Sequence, residues 1–188
     1  MTALLDYLGD DRHYHTFGHV GGMINGLAFH FPNFNNSLNR HVIAYHDCKY
    51  NFGPSEVSNE RLSANAARKE LAERFSESEL DELDRRIMLT VDHELVDEND
   101  EHGAVIIDLD LQELGTIYYR RNSDRIRKEY HMATDEQWRE GRIAFLEKFL
   151  AKDSIYKTPL GKAQWEVGAR HNLQKELDSF TKGTWGYW

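Results

Sequence analysis

Apolar side chains recur at helical spacing along most of this chain, and few residues interrupt them. Leu80, Leu83, Ile87 and Val91 form one stripe, and Trp138, Arg142, Phe145, Leu146 and Phe149 form another. Each follows a Ser/Thr-x-x-Glu/Gln signature that ties down the first amides of a helix: Ser76 with Glu79, and Thr134 with Gln137. Leu38, Val42 and Tyr45 mark a further helix ending near His46, and Arg170, Leu173 and Leu177 share one side of a long last helix. With 3 prolines in 188 residues, little breaks such patterns. The expected fold class is all-α. Residues 48 to 58, with Gly53 and Pro54, and the acidic residues 94 to 104 are expected to be loops. The tail TKGTWGYW reads as a frayed end whose aromatic residues could dock. No repeat or shift in composition marks a boundary, so residues 1–188 are expected to form one domain.

Composition narrows the function classes. A net charge of −9 disfavours nonspecific binding to nucleic acid or to an anionic membrane. An anionic substrate would need a metal or a local arginine cluster to draw it in. Nowhere do about 18 consecutive apolar residues occur, so no membrane span is expected. The acidic start MTALLDYLGDD does not resemble a secretion signal. The single cysteine, Cys48, excludes an internal disulfide and suits a reducing, cytoplasmic setting.

Three stretches could carry chemistry. "RHYHTFGHV" places His15 and His19 one helical turn apart, with His13 pointing elsewhere. In "VIAYHDCKY", His46 and Asp47 are adjacent directly after an apolar stripe. Neighbours on a helix diverge by about 100°, so both reach one centre only if it sits between packed helices. "AVIIDLDLQELG" sets Asp108 and Asp110 in an apolar run, as capping aspartates at a helix start, as one face of a strand, or as buried carboxylates kept ionised by a cation. Taken together, His19, His46, Asp47 and Asp110 offer two imidazoles and two carboxylates. That set suits Mn, Co, Ni or Fe better than Mg, which prefers oxygen alone. The absence of thiolate ligands argues against structural zinc.

The order H…HD…D on a helical chain resembles the HD superfamily of metal-dependent phosphohydrolases. "RHYHTFGHV", "AYHDCKY", "NERLSA", "TVDH", "DLDLQELG", "IRKEY", "GRIAFLEKFL" and "ARHNLQKEL", in that order, are similar to one HD subgroup over residues 7 to 177. The resemblance implies a helical HD bundle with its metal site between helices. It implies His19, followed by Val20, as the first ligand, His46 and Asp47 as the dyad, and Asp110, followed by Leu111, as the last. Asp108 departs from the small or apolar residue usual there, which leaves Asp108 as the other candidate for the last ligand. His93 falls in the interval where some HD proteins place histidines for a second metal; alternatively it ends its helix, where a histidine suits the dipole. His102, in the acidic stretch, is expected to be solvated.

Glu60, in "NERLSA", could orient a water or accept its proton, or it could simply compensate a helix N-terminus. Asn59 and Ser63 share that helix start and would support the ligands, as would Tyr14 and Asp108. Arg12, Arg127, Arg142 and Arg170 are candidates for phosphate contact through paired hydrogen bonds. His15 and His93 are candidates for lining the substrate side. The implied activity is hydrolysis of a phosphate ester or anhydride, with a nucleotide or related small phosphorylated metabolite as substrate, no polymeric nucleic acid and no membrane partner. Homo-oligomerisation stays open. An HD-fold di-iron oxygenase and a noncatalytic nucleotide-binding domain are the competing readings.

Overall fold

The computed structural model describes residues 2–52, 56–97 and 99–185. Gly53 and Pro54 of the expected loop, Glu98 of the acidic stretch and the last three residues of the tail lie outside them. The described residues form eight α-helices and no strand: α1 (Phe17–His30), α2 (Ser37–Tyr45), α3 (Asn59–Leu71), α4 (Glu77–Met88), α5 (Glu101–Leu111), α6 (Tyr119–Glu129), α7 (Asp135–Leu150) and α8 (Pro159–Thr181). Short 3-10 helices at Ala3–Leu8, Pro32–Phe34, His93–Leu95 and Gln112–Gly115 punctuate them. The protein is all-α. None of these helices is long and apolar enough to cross a membrane.

Six of the eight helices start at a Ser, Thr or Asn whose side chain accepts a first-turn amide: Thr16, Asn36, Ser58, Ser76, Thr134 and Thr158. Each satisfies a donor that the helix itself leaves unpaired. Both expected capping boxes are formed. Two expectations fail at helix ends. α4 stops at Met88, so Val91 falls beyond the buried stripe and is 47% exposed. The acidic stretch is less of a loop than its composition suggests, because α5 already begins at Glu101.

By packing, the chain divides into two compact units, residues 1–110 and 111–188. In the first, α4 packs on α2 and α3, and α1 packs on α2. Met23, Leu27, Val42, Ile43, Leu80, Leu83 and Ile87 are buried there, as the apolar stripes require. His102 does not stay in solvent as its acidic neighbours suggest. It is half-buried in the first turn of α5, with Nδ1 3.0 Å from Asn39 Nδ2, and burial and then Arg86 push its pKa down.

In the second unit, α8 packs on α7 and on the turn Gln112–Gly115. That turn approaches α8 so closely that a Cβ on Gly115 would lie 2.6 Å from the Trp165 carbonyl oxygen, and one on Gly168 would strike the Gly115 carbonyl. Asn172 Nδ2 donates to the carbonyls of Leu114 (2.8 Å) and Thr116 (3.1 Å), closing the same junction. Beneath lies a buried ion pair: Arg142 meets Glu176 through two hydrogen bonds of 3.0 and 3.1 Å. Tyr119 and Ser123 also donate to that carboxylate. After α8, Gly183 takes the left-handed conformation (φ 66°) that ends helices, and Trp185 stacks on Phe180 at 5.5 Å.

Candidate metal centre

The first ligand candidate comes from α1. Gly18 and His19 follow the Thr16 cap, and His19 turns inward beside Val20 and is 5% exposed. The second pair comes from the end of α2. His46 is the residue at which that helix stops, and Asp47 and Cys48 continue into a tight turn, Cys48 N–H donating to the Tyr45 carbonyl at 3.0 Å. Because the chain leaves helical geometry there, adjacent side chains can face one point. Nε2 of His46 lies 3.1 Å from Asp47 Oδ2.

Asp110 completes the cluster from the last turn of α5. Its Oδ1 is 3.1 Å from His19 Nε2 and 3.6 Å from His46 Nε2, and its Oδ2 is 3.6 Å from His93 Nε2. Neither of the structural alternatives for "DLDL" holds, since the aspartates sit near the end of a helix, not at its start or on a strand. Asp110 is the one brought to the histidines. Asp108, two residues earlier on the same helix, is fully buried.

An anion in the last turn of a helix meets the negative end of the dipole, and Asp110 is also part-buried. Burial opposes its ionisation, yet hydrogen bonds from His19, His46 and His93 outweigh that and hold its carboxyl well below the usual range. Asp47 behaves alike: burial pushes it up, but the charges of His46 and His15 hold it low. In turn His46, despite burial, is raised well above 6.5 by Asp47 and Asp110. The cluster therefore favours positive charge at its centre.

Two details fit a cation at that centre. Nδ1 of His46 is 2.8 Å from the Ile43 carbonyl, which can only accept, so Nδ1 carries a proton, and it is Nε2, once its own proton is displaced, that turns a lone pair to the cluster. That Nε2 is buried and has no well-formed hydrogen bond, although two carboxylates lie within 3.6 Å. Ligand atoms of His19, His46 and Asp47 all lie within 4.8 Å of one another. Imidazole nitrogens and a carboxylate crowded on one point are what a coordinating set requires.

Around this cluster, Tyr14 packs its ring 4.9 Å from His19, and His15 stacks on Tyr50 at 4.4 Å with Nε2 3.8 Å from Asp47 Oδ2. His93 is in contact with Asp110, as already described. Other candidates lie elsewhere or act differently. Glu60, in the first turn of α3, makes no hydrogen bond or ion pair with the cluster among the described residues. Asn59 clamps the backbone of Asn51, accepting from its N–H at 2.7 Å, and Ser63 Oγ brackets Lys49, accepting from its N–H and donating to its carbonyl.

Each candidate arginine has partners within the protein. Arg127 caps the α6–α7 turn through Tyr130, Ala133 and Asp135, and Arg170 holds Glu166 and the carbonyls of Leu150, Lys152 and Asp153. Arg142 is consumed by Glu176. These guanidinium groups were legible as arginines, but their partners are tertiary. Arg12 donates to three backbone carbonyls.

Sequence reasoning overlooked two aromatic residues. Tyr50 stacks on His15 and lies over Arg12, and Tyr7 lies under Arg12 with its hydroxyl buried. Tyr50 ends the very motif that carries the dyad, but only folding shows where its ring goes. A cleft of about 710 Å³ opens beside them, lined by Asp6, Arg12, Lys49, Tyr50 and Phe52 among others. Compared with protein-family models, with curated proteins and with solved structures, the chain matches none.

Proposed function

We propose that this protein is a metal-dependent phosphohydrolase of the HD kind, its cation held by His19, His46, Asp47 and Asp110. The observation that carries this reading is the meeting of Asp110 with His19 and His46 beside Asp47: four donors from three helical segments at one buried point. Two imidazoles with two carboxylates point to Mn, Co, Ni or Fe ahead of Mg. When bound, such a cation polarises a phosphoryl oxygen and acidifies water at neutral pH.

The chain's own residues would do the rest. Ile43 fixes the His46 tautomer, and the dyad turn holds Asp47 against it. Lys49 lines the cleft, with its Nζ in an exposed pair with Asp6 at 2.5 Å. An incoming phosphate could exchange for that carboxylate with little loss, since exposed pairs are worth about 0–1 kcal/mol. Nucleotides are the first substrate class to test, and the lone buried cysteine fits a cytoplasmic setting.

The test is a screen of nucleotides and general phosphoesters with Mn, Co, Ni and Mg, reading phosphate and pyrophosphate separately. Metal-dependent release of either supports the proposal. Nucleotide binding without turnover under every metal would replace it with a noncatalytic binding domain. One observation favours a second reading: His93 stands beside Asp110, where it could serve a second metal. Two irons per chain with oxygen uptake would establish that oxygenase reading instead.

A further inference from the structure

Arg12 occupies an unusual place for a cation so close to the candidate metal centre. It is 9% exposed, lies over Tyr7 at 5.0 Å and faces Tyr50 at 5.6 Å. One terminal nitrogen, Nη1, donates to the His15 carbonyl at 3.0 Å and to the Asp47 carbonyl at 2.7 Å. The other, Nη2, donates to the Cys48 carbonyl at 3.0 Å. Three acceptors are thus gathered by one planar fork, from two separate stretches of chain. The first stretch leads into α1 and His19, and the second contains the dyad itself.

The last carbonyls of a helix lack intrahelical partners and carry the negative end of its dipole. Those of Asp47 and Cys48 lie just past α2, in a dyad turn that Ser63 also ties down through Lys49. Arg12 satisfies them with charge-assisted bonds and joins them to the segment bearing His15. The guanidinium therefore sets the spacing between the two ligand-bearing segments. Lysine could not do this, because an ammonium lacks the flat, two-nitrogen geometry.

We propose that Arg12 is a positioning residue for the cation site: it holds the His15–His19 segment and the His46–Asp47 turn in the register that lets their side chains converge, and it does not bind phosphate. This rests on the metal-centre reading above, but its test needs no turnover.

The experiment uses the full chain, Co(II) and Mn(II) as probes, and Arg12→Lys. Titration calorimetry gives Mn(II) affinity, the visible absorption of bound Co(II) reports ligand geometry, and inorganic phosphate is titrated separately. The expected result is cation affinity weakened about 10–100-fold, the range for residues that orient ligands, with altered Co(II) bands and an unchanged helical circular dichroism spectrum. A variant that only melts earlier, with wild-type affinity and Co(II) bands, overturns the proposal, as does one that loses only phosphate binding. Should Arg12→Lys fail to fold, Tyr50→Leu removes one flank of the guanidinium and leaves no unpaired charge. It carries the same expectation, and unchanged affinity and bands there overturn it too. Wild-type protein that binds neither cation would sink the metal-centre reading itself, and the Arg12 role with it.

Discussion

Asp110 Oδ1 lies 3.1 Å from Nε2 of His19, although 91 residues separate them along the chain. The contact joins the start of α1 to the end of α5 and places a carboxylate where the helix dipole disfavours one. A group held against its local field needs a compensating partner, and here the partners are three histidines. Replacing Asp110 should therefore affect ion binding, whereas its neighbour Asp108 should not. Asp110→Asn is expected to abolish Mn(II) binding by calorimetry. Asp108→Asn should retain it and lose about 1–3 kcal/mol of stability in urea unfolding, the cost of disturbing a buried polar group.

His46→Ala and Asp47→Ala test the dyad directly. Each is expected to eliminate bound metal, measured by elemental analysis, and the proposed hydrolysis, while keeping a helical circular dichroism spectrum. Full turnover by either variant would sink the proposed function.

The charge state of the cluster predicts opposite pH trends for two quantities. Burial lowers the affinity of His46 for a proton, but Asp47 and Asp110 more than reverse this, raising it above 6.5. Its stabilising contact is therefore complete below pH 6.5 and is lost as pH climbs through the raised value. Asp110 is depressed, so its contribution persists above the ordinary 3.8 and disappears only as pH falls through its lowered value. Of these two groups only His46 changes charge above pH 6.5. The metal-free protein should lose about 2–4 °C in Tm, the equivalent of about 1 kcal/mol for a chain of this size, as pH rises past the raised His46 value. Cation affinity should rise over the same interval, because the metal displaces that proton. Melting curves with chelator and with Mn(II), from pH 6 upward, read both; parallel trends would contradict the assignment.

Arg142 and Glu176, an ion pair within the second unit, supply a control that involves none of the ligand candidates. Glu176→Leu leaves a buried guanidinium unpaired and should cost about 3–5 kcal/mol. The double variant Arg142→Met with Glu176→Leu should recover much of that loss, since it removes both charges together. Chemical denaturation measures each, and the double-mutant cycle gives the coupling.

The glycine junction is also testable. Gly168→Ala inserts a methyl against the Gly115 carbonyl, so α8 must move away from its turn. A loss of about 1–3 kcal/mol is expected, as for other overpacked sites. Gly141→Ala, where nothing lies within 4 Å of the added atom, should be neutral or slightly stabilising.

Helical content, the two capping-box helix starts and the buried stripes could be read from the sequence, because they arise from local forces. A Ser or Thr side chain satisfies an amide two or three residues away, and the 3.6 period places one face in the core whatever lies opposite it. The histidines and aspartates of the candidate centre could be named for the same reason: their chemistry is intrinsic, and His46–Asp47 stand side by side. Their meeting, and the use made of each arginine, could not. Arg12, Arg142 and Arg170 are alike as residues, yet one binds the carbonyls of the dyad turn, one a buried glutamate and one the end of α7. Which acceptor a long side chain reaches depends on helices distant in sequence packing at particular angles. Only the tertiary structure decides that, just as it alone brings Asp110 of α5 to His19 of α1, 91 residues away.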